Sequence, residues 1–177
     1  EGSGLGAYIR RKGCLAVREA INIIVQACSA LDAVHAAGII HRDIKPESIV
    51  IARGGLVKLM DFGLAKSENA RLTATGVVMG TPAYMAPEQI RGEESDARTD
   101  LYSLGLVLYE CLTGKTVFTG PDVLGRQEHE VPPPPSTLGE GIPPLLDQIV
   151  LKCIAKKPQD RFPSARELAV QLRQVGK

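Results

Sequence analysis

From about Val17 to Ala37 the apolar residues Ile21, Ile24, Val25, Cys28 and Leu31 return at helical spacing, with Arg18, Glu19 and Asn22 between them. The pattern predicts a long amphipathic helix ended by Gly38. Further on, Ile49-Val50-Ile51 and Leu56-Val57-Lys58-Leu59 flank Arg53-Gly54-Gly55, which predicts a hairpin of two short strands joined by a glycine turn. Residues 61–88 carry Gly, Thr and Pro with few large apolar side chains, and read as an extended ordered loop. Loops of that length in compact domains usually serve function. From about Thr99 to Thr113 the run Leu101-Tyr102-Ser103-Leu104-Gly105-Leu106-Val107-Leu108-Tyr109 is apolar on nearly every side, so a helix buried all round is expected at the centre of the core.

Val131-Pro132-Pro133-Pro134-Pro135-Ser136 cannot continue a helix, because proline lacks the donor N–H and restricts the residue before it. A stiff surface connector is the expectation, and a polyproline ligand for another domain is the other reading. Leu145, Leu146, Ile149, Val150 and Cys153 then mark another amphipathic helix, with Gly139 to Pro144 before it. Ser164 and Glu167 have the spacing of a capping box, which opens a last helix through Leu168 and Leu172.

A length of 177 residues fits one domain with a sizeable core. Its 21 Lys and Arg against 20 Asp and Glu leave a formal net charge of +1, which gives no electrostatic footprint for nucleic acid or an anionic membrane. Cys14, Cys28, Cys111 and Cys153 show no C-x-x-C pairing, and three of them fall on apolar helix faces, so reduced core thiols in a cytoplasmic protein are expected. The apolar run near Leu101 to Leu112 is broken by Ser103 and Glu110 and is too short for a membrane span. The start Glu1-Gly2-Ser3-Gly4 has neither an initiator Met nor the basic-then-apolar pattern of a signal peptide, and suggests a chain cut from something longer. A membrane tether outside the chain stays open.

Chemistry enters with two short segments, His41-Arg42-Asp43-Ile44-Lys45-Pro46-Glu47-Ser48 and Asp61-Phe62-Gly63, followed in order by Ala86-Pro87-Glu88. Together they resemble the catalytic half of a protein kinase. Gly80-Thr81-Pro82-Ala83-Tyr84-Met85, Arg98-Thr99-Asp100-Leu101-Tyr102-Ser103-Leu104-Gly105 and Lys157-Pro158-Gln159-Asp160-Arg161-Phe162 extend the resemblance over essentially the entire chain, toward the bacterial, eukaryotic-like serine/threonine kinases. The fold this implies is the mainly helical large C-terminal lobe, α+β with a small β-hairpin below the active-site cleft, over residues 1–177. The catalytic loop would be 41–48 and the activation segment 61–88. Neither a glycine-rich loop nor a V-A-I-K lysine lies upstream of His41, so the N-terminal lobe is expected to be absent from this chain.

The resemblance assigns roles residue by residue. Asp43 would accept or orient the proton of the attacking hydroxyl, and Lys45, at the position serine/threonine kinases fill with lysine, would pair with Asp43 and the transferring γ-phosphate. Asp61 would bind Mg²⁺ (or Mn²⁺) bridging the phosphates of ATP. Thr81 would touch the Asp43–Lys45 pair and select a hydroxyl-bearing protein substrate. Asp100 would hold the catalytic-loop backbone, and Glu88 would pair with Arg161. Arg42 beside Asp43 suggests a loop ordered by phosphorylation, with Thr73 and Thr75 as candidate acceptors or, alternatively, as ordinary loop threonines. His35 and His129 read as solvent-facing or packing residues.

Two departures shape the expectation. The H-R-D-x-x-x-x-N pattern calls for asparagine where this chain has Ser48, whose shorter hydroxyl should weaken the second metal site. Without an N-terminal lobe in cis, ATP loses its roof and should bind poorly. ATP-dependent phosphorylation of Ser/Thr side chains is therefore the main reading, with a pseudokinase or regulatory binding scaffold as the alternative.

Overall fold

The computed structural model describes residues 2–61 and 82–175. In chain order these form strand β1 (Ser3–Gly4), helices α1 (Leu5–Lys12) and α2 (Val17–Ala36), strands β2 (Ile49–Ile51) and β3 (Val57–Leu59), then helices α3 (Pro87–Ile90), α4 (Ala97–Thr113), α5 (Val123–His129), α6 (Pro144–Cys153) and α7 (Ala165–Val175). The architecture is mainly helical with one small antiparallel sheet, as the sequence predicts. The sheet has three strands rather than two, in the order β1-β2-β3, with Ser3 opposite Ile51 and Ile49 opposite Leu59. A strand of two residues carries no periodicity, so β1 left no trace in the pattern.

Helix α4 is the core element. Every residue from Thr99 to Thr113 is buried except Glu110. Its start is fixed by Asp96, whose carboxylate accepts the Arg98 N–H at 2.7 Å, and its end by Gly114 at φ 69°. A Cβ on Gly114 would stand 1.9 Å from the carbonyl oxygen of Gly13, so only glycine closes this helix. Gly105 has a different reason: a Cβ there would lie 2.5 Å from Cβ of Cys153, and its absence lets α4 and α6 approach closely.

Around α4 pack the faces the periodicity marks. Ala20, Ile21, Ile23, Ile24, Ala27, Cys28 and Leu31 are the buried side of α2, and Leu146, Ile149, Val150 and Cys153 that of α6. Helix α7 lies along α2, and the Ser164 hydroxyl accepts the Glu167 N–H at 3.2 Å, the forward arm of the expected capping box. Gln26 of α2 ties the hairpin down by donating to Gly55 O and accepting from the Val57 N–H, each at 3.1 Å. Cys28, Cys111 and Cys153 are buried and unbridged, and burial pushes the Cys28 thiol up to about 12. Cys14 is exposed.

The reading of 61–88 as unbroken loop needs correction at its described end. Pro82–Tyr84 form a 3-10 turn and α3 begins at Pro87, where the Gln89 side chain accepts the Ala86 N–H at 3.0 Å. One turn of helix opened by proline is too short to show a repeat. Helices α1 and α5 were also unforeseen, being short and each interrupted by a glycine. In the proline run, Pro132 and Pro135 are buried and the Tyr109 hydroxyl donates to Pro133 O at 3.1 Å, so the segment is packed onto α4. Among the described residues no helix is long and apolar enough to cross a membrane.

Candidate active site

Helix α2 ends below a loop, 41–48, whose backbone is strapped to α4 by one carboxylate. Asp100, 1% exposed, accepts the His41 N–H at 2.9 Å on Oδ2 and the Arg42 N–H at 2.8 Å on Oδ1. Arg42 sits at φ 66°, a left-handed conformation that costs a non-glycine residue about 1–2 kcal/mol. It is held there from the other side too, since Gln89 Nε2 of α3 donates to its carbonyl at 2.9 Å. Charge-assisted bonds to two successive N–H groups are strong enough to offset that strain.

A buried histidine couples this loop to the segment leading into Asp61. His41 Nε2 lies 2.8 Å from Met60 O, and because a carbonyl only accepts, Nε2 carries the proton. Nδ1 then accepts the Asp43 N–H at 3.3 Å. Met60 is fixed a second time by its N–H, which donates to Ser48 O at 2.8 Å. Asp61 follows immediately at φ 63°, the only other left-handed non-glycine among the described residues. Of these two left-handed residues, Arg42 directly precedes Asp43 and the other is Asp61 itself, so each coincides with or adjoins a sequence-predicted carboxylate.

Lys45 Nζ donates to Asp43 Oδ2 at 2.6 Å, with the Asp43 side chain 43% exposed and Lys45 22%. Such a half-exposed pair adds little stability. Its effect is to fix where a carboxylate oxygen and an ammonium stand at the mouth of the loop. Ser48 is fully buried, accepts the Lys45 N–H at 3.0 Å and donates to Lys45 O at 2.9 Å. The hydroxyl therefore closes the Pro46–Ser48 turn, and its proton is committed to the backbone. Among the described residues no three acidic, His or Cys side chains converge as a metal cage. The exposed Asp61 carboxylate is a hard oxygen donor of the kind that Mg²⁺ takes, one or two at a time, alongside phosphate oxygens.

Glu88 and Arg161 meet deep under α3. Nη1 and Nη2 of Arg161 donate to the two carboxylate oxygens at 2.7 and 2.8 Å, and the remaining N–H groups reach the carbonyls of Ala155, Arg98 and Lys156 at 2.7, 3.1 and 3.0 Å. Thr99 donates to the same carboxylate at 2.8 Å. Burial pushes the Glu88 carboxyl up, but the Arg161 guanidinium and the Thr99 hydroxyl more than offset it, and the group titrates below its ordinary value.

Thr73, Thr75 and Thr81 lie outside the described residues, as do Phe62 and Gly63. The chain beyond Thr81 is anchored by side chains the sequence reading missed. Ser103 donates to Tyr84 O at 2.8 Å, the Tyr84 hydroxyl donates to the Glu110 carboxylate, and Gln127 of α5 donates to Ala83 O at 2.6 Å. His35 was missed as well: its Nε2 lies 2.7 Å from Asp100 Oδ2, and its side chain is 10% exposed. His129 is exposed. Each missed contact joins residues far apart in the chain, so no local spacing signals it.

The loop and the segment bonded to it carry a lysine-paired aspartate, Asp43, and a second aspartate, Asp61, on a mainly helical fold. Residues 1–171 match the protein kinase domain family, and the chain belongs to it. It is 43% identical over 180 residues to serine/threonine-protein kinase PknB of Mycobacterium leprae (strain TN), an alignment covering 99% of this chain and 29% of that protein. It is 44% identical over 181 residues to PknB of Mycolicibacterium smegmatis, again with 99% and 29% covered. A probable PknB of Corynebacterium glutamicum is 42% identical over 182 residues, with 97% of this chain and 28% of that protein covered. The chain therefore spans under a third of the length of these curated relatives.

Proposed function

We propose that the protein carrying this chain transfers the γ-phosphoryl group of ATP to Ser or Thr side chains of proteins, with residues 1–177 supplying the C-terminal lobe. The observation that carries this reading is the Asp43–Lys45 pair at 2.6 Å on a loop whose backbone is fixed by Asp100, Gln89 and His41. Phosphoryl transfer is catalysed chiefly by positioning and charge stabilisation, so rigidity of this loop is what the chemistry needs. The acceptor hydroxyl oxygen forms the new bond to phosphorus as the bond to the ADP oxygen breaks. Its proton passes to the Asp43 carboxylate. Lys45 orients that carboxylate and neutralises charge on the phosphoryl oxygens.

Asp61, with Ser48 near it, would hold Mg²⁺ (or Mn²⁺), whose charge offsets that of the phosphates. Thr81 selects the acceptor hydroxyl, and Arg42, whose exposed side chain faces solvent, is suited to pair with a phosphate on Thr73 or Thr75. An N-terminal lobe in cis completes the nucleotide site.

A second reading, a pseudokinase scaffold, is favoured by Ser48, whose proton is committed to Lys45 O. Mass spectrometry of a Ser/Thr-rich protein incubated with the full-length protein and Mg·ATP separates the two. Phosphate on Ser or Thr is expected. Absence of any transfer by a folded, N-lobe-containing protein favours the scaffold.

A further inference from the structure

Helix α3 is a single turn, and one turn of helix does not hold its own position. Its seat comes from Glu88, which the core grips through Arg161 and Thr99. The next residue, Gln89, stands on that fixed seat and uses both ends of its amide. Oε1 accepts the Ala86 N–H at 3.0 Å and closes the start of α3, while Nε2 reaches across to the catalytic loop and donates to Arg42 O at 2.9 Å. The orientation of the amide is forced, because only the NH₂ end can face a carbonyl and only the oxygen can face an N–H.

Arg42 O belongs to the peptide group that joins Arg42 to Asp43. The opposite pole of that same group is the Asp43 N–H, which donates to His41 Nδ1 at 3.3 Å. One peptide plane is thus held at both edges, beside the residue whose backbone stands at φ 66°. Rotation of the plane changes ψ of Arg42 and φ of Asp43, the torsions on either side of it, and shifts the bond from which the Asp43 side chain departs. The His41 contact is long for a hydrogen bond, so Gln89 supplies the firmer hold. Lys45 meets the carboxylate itself, at Oδ2, but an ammonium on a flexible stem follows that oxygen and does not fix the backbone that carries it.

We infer that Gln89 is a positioning residue for the proton-accepting carboxylate: it holds the Arg42–Asp43 peptide in one orientation, and so keeps Asp43 aligned while α3 is seated on the core. The inference rests on the phosphotransfer reading above, in which Asp43 takes the proton of the acceptor hydroxyl. If Gln89 only capped α3, its loss would lower stability and leave turnover alone. If it aligns the carboxylate, its loss falls on kcat, spares the KM values and adds nothing once the carboxylate is gone.

The test uses the full-length protein with Gln89→Glu, which keeps an oxygen for the Ala86 N–H but turns a second oxygen, in place of an N–H, toward Arg42 O. Gln89→Met removes both bonds. In Gln89→Glu, kcat for a Ser/Thr-acceptor peptide is expected to fall about ten- to a hundredfold while KM for the peptide and for ATP each stay within about twofold, because a small misplacement of a reacting group acts on the chemical step. In an Asp43→Asn background the same substitution is expected to change phosphate incorporation by less than about twofold, since the two residues act as a unit. Hydrogen exchange at the Asp43 amide quickens in both variants. Gln89→Met gives the same kinetic pattern, and it decides the matter alone if Gln89→Glu does not fold. An unchanged kcat, a loss carried by KM, or an equal loss with and without the Asp43 carboxylate overturns the inference. If the unaltered protein transfers no phosphate, the phosphotransfer reading fails and the exchange measurement judges the hold on the peptide: unchanged protection of the Asp43 amide overturns it, and faster exchange supports it.

Discussion

At Asp100 two oxygens serve two backbone N–H groups and a histidine, so a change of one atom in the carboxylate has consequences on both sides of the loop. Asp100→Asn turns one acceptor into a donor facing another donor. Hydrogen bonds to charged groups are worth about 1.5–3 kcal/mol each, and a loss of that order is expected in chemical denaturation, together with reduced transfer as Arg42 leaves φ 66°. Unchanged stability would show that the loop is held by other contacts. At Ser48 the expectation has the opposite direction. Ser48→Asn supplies a longer-reaching amide oxygen and should lower the Mg²⁺ concentration giving half-maximal activity in the full-length protein. A raised or unchanged requirement contradicts the view that serine weakens this site.

Between elements, the Glu88–Arg161 pair joins α3 to the loop before α7. Arg161→Met leaves a buried carboxylate without its partner and should cost about 3–5 kcal/mol near pH 7. The pH dependence follows from the direction of the Glu88 shift. A carboxyl whose folded value is depressed stabilises above its ordinary value of 4.5, and that contribution disappears as pH falls through the folded value. In Arg161→Met the burial of Glu88 is no longer offset by the guanidinium and pushes its carboxyl above 4.5. The stability gap between the unaltered protein and the variant therefore begins to narrow on acidification above 4.5, as the variant's carboxyl takes a proton, and goes on narrowing below 4.5, which urea unfolding at a series of pH values reads directly. A gap that does not narrow would place the loss in packing rather than charge. Gly105→Ala tests the α4–α6 contact. Alanine favours helix by about 1 kcal/mol, but a Cβ at 2.5 Å from that of Cys153 forces a shift, and a net loss of about 1–3 kcal/mol is expected in thermal unfolding.

For the molecule as a whole, the long elements were legible because burial imposes a period on any helix of several turns: α2, α4, α6 and α7 appear where Ile21, Leu104, Ile149 and Leu168 mark them. Strand β1 and helices α1, α3 and α5 were not, since elements this short owe their existence to neighbours rather than to pattern. The same divide runs through the candidate site. Asp43, Lys45, Ser48 and Asp61 stand out because the resemblance is carried by short contiguous motifs in which they fall, whereas His35, Gln89 and Gln127 make their contacts across the fold and have no local sequence signature. Asp43 is the residue on which the functional reading turns, and phosphate incorporation by the full-length protein carrying Asp43→Asn, with thermal unfolding as a control for folding, tests it most directly. Positioned proton acceptors contribute roughly 10²–10⁴-fold, so activity below about a hundredth of the unaltered protein is expected with the unfolding temperature retained. Activity above about a tenth in a folded variant would contradict the role of Asp43 and the account built on it.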